Sequence, residues 1–229
     1  MKTNENYMLT GGARIGRANA TYPLADLYVD KKILKINASI VGNLVFRPED
    51  IISIETYNFI PLLAQGIKIN HKIPNYNPKV IFWTFKEPSM VISEIKATGF
   101  LDDHNSALFM EDEPILEMQK QGGFPIKKNV AIFYVVAWNI LLLCDFVPFF
   151  LNFSTDKSPF GFGVITAIGL LFFSAILILF SKDFRILILK AGRNFEDVKK
   201  TIYLILFLSA FMLLNLMIMK IAIGLENFG

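Results

Sequence analysis

The fold of this chain is decided by NVAIFYVVAWNILLLCDFVPFF, residues 129–150, an apolar stretch with a single charged side chain. Two later stretches have the same character: FGFGVITAIGLLFFSAILILF at 160–180 and IYLILFLSAFMLLNLMIMKIAI at 202–223. A helix needs about 20 apolar residues to cross roughly 30 Å of hydrocarbon. The sequence therefore predicts an integral membrane protein with three transmembrane helices.

The chain of 229 residues divides by composition. We interpret residues 1–13 as a flexible N-terminus, 14–100 as a soluble domain, 101–128 as an acidic linker and 129–229 as the membrane domain. Within the linker, the stretch 113–121 predicts a short helix, and the Gly-Gly-Phe-Pro sequence after it predicts a break before the first span.

The soluble domain shows short alternating runs of apolar and polar residues, which are typical of strands. These runs lie between turn residues, at 21–29, 33–40, 43–46, 51–57, 66–73 and 80–85. Six or seven strands of this kind predict a curved antiparallel sheet, small barrel or sandwich. The stretch 87–96 instead predicts a helix, with Pro88 in its first turn and Gly99 as its stop. Its residues Val91, Ile92 and Ile95 have helical spacing.

Two hydrophobic patterns carry a family resemblance. IFWTF at 81–85 precedes Pro88 and the helix, and NLVF at 43–46 continues into DIISI at 50–54. In this order of elements, residues 14–100 resemble the pleckstrin-homology-like superfamily, including GRAM-type domains of bacteria. The resemblance implies an α+β membrane protein, in which a PH-like barrel or sandwich closed by a C-terminal helix precedes three transmembrane helices. It indicates a fold and not an activity, because the matching positions are apolar rather than chemical.

Many domains of that superfamily bind phosphoinositides through basic residues at the open end of the sheet. The resemblance thus implies Lys31, Lys32 and Lys35 as candidate headgroup contacts. Two acidic residues, Asp26 and Asp30, lie close by, and the dense basic signature of the family's first hairpin is lacking. The alternatives are a solvated turn and a general attraction to the anionic inner leaflet.

The basic residues near the spans predict the orientation, since Lys and Arg are retained on the cytoplasmic side. Lys127 and Lys128 precede the first span, whereas the connection 151–159 has only Lys157, which Asp156 balances. The connection 181–201 carries Lys182, Arg185, Lys190, Arg193, Lys199 and Lys200. We predict a cytoplasmic N-terminal domain and an external C-terminus.

Two further features concern targeting and location. The first twenty residues lack the apolar core of a signal peptide. A composition rich in Lys, Asn, Ile and Phe favours the plasma (inner) membrane of a bacterium.

Polar side chains inside spans are costly and are therefore candidate functional residues. They are Asn139 and Asp145 in the first span and Asn215 and Lys220 in the third. At 1.5 Å per residue, Asp145 reaches a depth similar to that of Lys220, and Asn139 one similar to that of Asn215. We predict that these pairs hold the first and third spans together. In the second span, the small residues at 163 and 167 favour close approach of a neighbouring helix.

No arrangement of catalytic, cofactor-binding or metal-binding residues emerges from the sequence. Cys144 is the single cysteine, which excludes an intrachain disulfide. Two Ser-x-x-Lys matches, at 93–96 and 154–157, lack the pocket that a nucleophile and its base require. The net charge of +3 is spread along the chain, which disfavours nucleic acid as a partner.

Two hypotheses about function follow. The first is a non-enzymatic, membrane-anchored interaction or scaffold module that presents its PH-like domain to a protein partner or to a second copy in a homo-oligomer. The alternative is a small transporter or membrane-enzyme subunit, in which Asn139, Asp145, Asn215 and Lys220 line a polar cavity.

Overall fold

The computed structural model describes residues 5–60, 64–102, 113–151 and 160–226. The chain forms two compact units, Met1–Pro125 and Ile126–Gly229. The first unit contains an antiparallel sheet with helices, and the second contains the apolar helices. Each unit is described by itself.

The sheet unit is built on seven antiparallel strands in the order β4-β3-β2-β1-β7-β6-β5, which curl into a half-barrel. The strands are β1 (Asn6–Ile15), β2 (Ala18–Asp30), β3 (Leu34–Asn37), β4 (Asn43–Phe46), β5 (Ile51–Ile60), β6 (Ala64–His71) and β7 (Val80–Trp83). Two meanders, one of four strands and one of three, are joined where β1 pairs with β7. Each of the six predicted runs corresponds to a strand; the run 43–46 coincides with β4, and the other five differ from their strands at one or both ends.

The N-terminal strand corrects the sequence analysis, which had placed residues 1–13 in a flexible segment. β1 begins at Asn6 and is central, because it pairs with both β2 and β7. Its adjacent glycines resemble a turn in sequence but lie at a bulge, where the register shifts between Gly11 and Ala13. A Cβ at Gly11 would overlap the carbonyl oxygen of Trp83. Glycine is thus needed here for close packing of strands.

The core of the sheet unit follows from the alternation of its strands. In β2, Leu27 and Val29 are completely buried, and in β3 so are Leu34 and Ile36. Helix α1 (Pro88–Ala97) covers this face beside β5 and β6, with Val91 fully buried. Burial of such an aliphatic side chain contributes roughly 1.5–3 kcal/mol. The predicted helix and its end near Gly99 are confirmed.

The second half of the predicted linker belongs to the sheet unit. Helix α2 (Glu113–Lys120) forms as expected within the stretch 113–121 and packs beside β4. The side-chain amide of Gln119, which is 6% exposed, donates to the carbonyl oxygen of Val45 at 3.1 Å and to Asp50 Oδ2 at 2.7 Å. Asp50 Oδ2 also accepts from the backbone N–H of Arg47 at 2.9 Å. The helix is thus fixed to the sheet and is no free tether.

The second unit confirms the membrane prediction. Its helices are α3 (Lys128–Leu151), α4 (Phe162–Phe180), α5 (Lys182–Ile188) and α6 (Lys199–Glu226). Three of them, α3, α4 and α6, are long and apolar enough to cross a membrane, with mean hydropathies of 2.2, 2.6 and 2.4. Helix α4 packs against both α3 and α6 and is the most buried of the three. The apolar helices make this a membrane-associated protein.

Candidate functional site

The candidate headgroup lysines lie at the β2–β3 turn and on β3. Lys31 and Lys32 are exposed in the turn, whereas Lys35 is half-buried on β3, opposite Tyr28. The Asp30 carboxylate lies within the same turn and accepts from the backbone N–H groups of Lys32 at 2.7 Å and Ile33 at 2.8 Å. Its other oxygen accepts from Tyr28 Oη, and this bond raises the pKa of Tyr28, with smaller contributions from burial and the Asp30 charge. A carboxylate therefore offsets the lysines locally.

The structure does not pair Asp145 with Lys220. Asp145 Oδ2 accepts a hydrogen bond from the backbone N–H of Val164, in the first turn of α4, at 2.6 Å. Lys220 instead lies on α6 in a cavity of about 350 Å³ whose other lining residues are apolar. Among the residues that the structure describes, no ion pair joins these two side chains. The prediction of a first-to-third-span pair is corrected, because α4 lies against both of those helices.

The two asparagines are also separate. Asn139 Nδ2 donates to the carbonyl oxygen of Val135, one turn earlier in α3, at 2.7 Å. Asn215 Nδ2 makes the same bond to Phe211 in α6, also at 2.7 Å. Both side chains lie on exposed faces of their helices. Each amide thus finds a partner within its own helix.

Helices α3 and α4 are joined by a hydrogen bond and by the packing of small residues. The sequence indicated the small residues but not the hydrogen bond. Tyr134 Oη donates to Ser174 Oγ at 2.6 Å, a bond that the sequence did not reveal. Gly163 is buried against α3, where a Cβ would overlap the carbonyl oxygen of Leu141. Ala167, the other small residue of the predicted spacing, is completely buried. Small residues therefore do allow close approach here.

A cavity of about 650 Å³ opens at the end of the second unit where α3 and α6 begin and α4 ends. Its charged lining consists of Lys127, Lys182, Arg185, Lys190, Arg193 and Glu196, and we call it the basic cavity. Aliphatic and aromatic side chains, among them Ile186, Leu189 and Phe195, form the rest of its wall. The arrangement combines a strongly cationic lining with an apolar surface.

Helix ends and backbone bonds hold the basic cavity together. The Arg185 guanidinium donates to the carbonyl oxygens of Ile178 and Leu179, at 3.4 and 3.2 Å, at the end of α4. Lys127 donates through its backbone N–H to Ile188 at 2.9 Å and through Nζ to the carbonyl oxygen of Ile186 at 2.7 Å. The start of α3 is thereby attached to the end of α5. These cations lie where carbonyl groups lack partners within a helix.

A tight turn brings two further cations together. The backbone N–H of Arg193 donates to the carbonyl oxygen of Lys190 at 3.1 Å, and Gly192 between them has φ of +74°. Glycine adopts this left-handed conformation without strain. Arg193 is 8% exposed, and the pKa of Lys190 is lowered by burial and by the Arg193 charge. The turn thus holds one cation beside another in a partly desolvated place.

One carboxylate, that of Glu196, also lines the basic cavity. Glu196 lies 3.3 Å from Nζ of Lys199, which is outside the basic cavity, and its side chain is 69% exposed. Five cationic residues therefore share the basic cavity with one carboxylate. The arrangement suits an anion, because several cations around one cavity concentrate positive potential.

No protein-family model, curated protein or solved structure matches this chain. In the sequence, the same Lys and Arg residues indicated the orientation of the chain in the membrane. The signal that could have revealed the cavity is their density after the second span, together with the Ala-Gly turn between Lys190 and Arg193.

The sheet unit carries a second surface feature, an uncharged aromatic groove of about 270 Å³. Tyr22 and Phe85 lie at its rim, with ring centroids 5.1 Å apart in an edge-to-face arrangement. They are 56% and 74% exposed. The groove floor includes Gly12 and Trp83, where β1 pairs with β7. Large aromatic side chains exposed as a pair beside a groove are typical of protein-binding surfaces.

Proposed function

We propose that this protein is a membrane-anchored interaction module, in which α3, α4 and α6 hold the chain in the bilayer and the sheet unit binds a partner protein. The observation that carries this proposal is the aromatic groove. Tyr22 and Phe85 expose much of their rings to solvent although burial of such rings is strongly favourable. A partner with an apolar segment would recover that free energy.

The strand order and the helix α1 after the last strand support a PH-like identity for the sheet unit. A series of strands closed by one C-terminal helix is what the resemblance implies. In this proposal the unit lies on the cytoplasmic face of a bacterial plasma membrane, as the distribution of Lys and Arg predicts.

The polar contacts of the second unit support a structural role for its intramembrane residues over the transport alternative. Asp145 bonds α4, and Asn139 and Asn215 bond their own helices. A transport path would need such groups to share a water-filled cavity.

The test compares partner binding by groove variants of the full-length protein. Gentle extraction in native lipids and native mass spectrometry would give the wild-type stoichiometry. We expect a stoichiometric partner that is lost in Tyr22→Ser/Phe85→Ser and retained in the control Met90→Ser, since Met90 is 59% exposed on α1 and outside the groove. Mixing two differently tagged copies would identify the partner as a second copy of the chain. A chain without a fixed partner, or a partner that both variants retain, would contradict the proposal.

A further inference from the structure

We propose that the basic cavity of the second unit binds a phosphate-bearing anion, and that its position favours the headgroup of an anionic phospholipid. This inference is independent of the partner proposed for the sheet unit. Every residue involved lies between Lys127 and Glu196, within Ile126–Gly229.

The position of the basic cavity matches the headgroup layer. The cavity lies where one apolar helix ends and two others begin, so its depth is that of the membrane boundary. Its volume of about 650 Å³ lies within the range of small-molecule sites, roughly 300–1,000 Å³. Ile186 and Leu189 in its wall could contact the apolar part of a lipid beside the charged lining.

The chemistry of the lining suits phosphate in particular. Guanidinium groups donate in a planar fork that matches phosphate oxygens, and ammonium groups add point charges. Arg185 is held in place by the carbonyl groups at the end of α4. Burial and the charge of Arg193 lower the pKa of Lys190, and an anion beside both cations would interact favourably with each of them.

Non-specific attraction between interfacial cations and anionic lipid differs from binding at a defined site in its dependence on individual lysines. If the attraction is non-specific, each lysine at this end of the unit contributes about equally to the retention of anionic lipid. If the basic cavity is a defined site, only the lysines that line it contribute to retention. Lys182 and Lys190 line the cavity, whereas Lys199 and Lys200 lie at the start of α6 and do not.

The lipid arm of the test uses full-length protein in nanodiscs of equal parts phosphatidylglycerol and phosphatidylcholine. Native mass spectrometry counts the lipids that each variant retains. We expect Lys182→Gln/Lys190→Gln to lower retention of phosphatidylglycerol about tenfold. The control Lys199→Gln/Lys200→Gln removes the same charge and should change retention less than about twofold. Lys190→Arg should retain the lipid, and far-UV circular dichroism verifies that each variant is folded.

A second arm distinguishes lipid from free phosphate. Detergent-solubilised protein is heated with inorganic phosphate or with chloride at equal ionic strength. Stabilisation by phosphate that Lys182→Gln/Lys190→Gln abolishes would assign the site to free phosphate. Selective retention of phosphatidylglycerol without this stabilisation would assign it to the lipid headgroup. Equal losses in the two double variants, or no preference for phosphatidylglycerol together with no effect of phosphate, would overturn the proposal.

Discussion

The carboxylate of Asp145 in α3 accepts a 2.6 Å hydrogen bond from the backbone N–H of Val164 in the first turn of α4. The first N–H groups of a helix lack partners within that helix, and its N-terminus favours negative charge. An acidic side chain of one apolar helix therefore caps the next one. This contact gives Asp145 a structural role that needs no cationic partner.

Removal of this cap should destabilise the second unit. We expect Asp145→Leu to lower the free energy of unfolding by about 1–2 kcal/mol, because the Val164 N–H loses its acceptor. Asp145→Asn retains an acceptor oxygen and should cost less. Denaturation in mixed detergent micelles, followed by far-UV circular dichroism, measures both. Lys220→Met is the control, and an equal loss in this variant would show that Asp145 has no special role.

The close approach of α3 and α4 at Gly163 offers a matched pair of substitutions within one helix. Gly163→Ala should cost about 1–3 kcal/mol, because the new methyl group would meet the carbonyl oxygen of Leu141. Gly169→Ala should be neutral or stabilise α4 by up to about 1 kcal/mol, because nothing lies near that position outside the helix. The same denaturation assay compares them. Similar effects of the two changes would rule out tight packing at Gly163.

The bond between α2 and the sheet predicts a local change in dynamics. Gln119→Ala should destabilise the attachment of α2 by about 1–3 kcal/mol, because the Val45 carbonyl and Asp50 lose a buried donor. Hydrogen exchange in the full-length protein should then become faster in α2. The adjacent, exposed Lys120→Ala serves as the control. Unchanged exchange in Gln119→Ala would mean that other contacts hold α2.

Tyr7 is buried, and its hydroxyl has no hydrogen-bond partner among the residues that the structure describes. Burial raises its pKa above the ordinary 10.0, and the Glu94 charge raises it further. Because the pKa is raised in the folded state, Tyr7 loses its proton in the unfolded state first as pH rises. The contribution of protonated Tyr7 to the free energy of unfolding is therefore complete below pH 10 and is lost as pH rises through the folded-state pKa. At pH 7 the tyrosine keeps its proton in both states, so the expectation there rests on the buried hydroxyl, and Tyr7→Phe should equal or exceed wild type in stability.

Thermal unfolding at pH 7 and above pH 10 measures the Tyr7 prediction. The difference in melting temperature between wild type and Tyr7→Phe should grow in favour of the variant at the higher pH. A variant that is less stable than wild type at both pH values would indicate that the hydroxyl makes a favourable contact.

The predicted orientation can be tested with single cysteines in a Cys144→Ser background. A membrane-impermeant maleimide added to intact cells should label Lys157→Cys in the connection between the first two spans. It should label neither Asn19→Cys, near the start of β2, nor Asp183→Cys in α5, until the cells are opened. Labelling in the opposite order would place the sheet unit outside.

The sequence by itself determined those features that depend on local pattern. Three apolar stretches were sufficient to predict the helices α3, α4 and α6, because length and hydropathy alone decide whether a helix can cross a bilayer. Alternation predicted six strands, and helical spacing around Val91 and Ile95 predicted α1. The strand β1 was missed because its two glycines suit a turn. Only the neighbouring strands explain why they are needed in a sheet: a Cβ at Gly11 would overlap β7, and one at Gly12 would overlap β2.

Only the tertiary structure decided which side chains meet. An apolar helix that is hydrophobic on every face carries no periodic signal for its neighbours, so the sequence could not reveal that α4 packs against both α3 and α6, or that Asp145 bonds Val164. The basic cavity likewise brings together residues from Lys127 to Glu196 through a turn and two helix ends. The basic residues can be identified from the sequence, but whether they line one cavity depends on how the backbone folds.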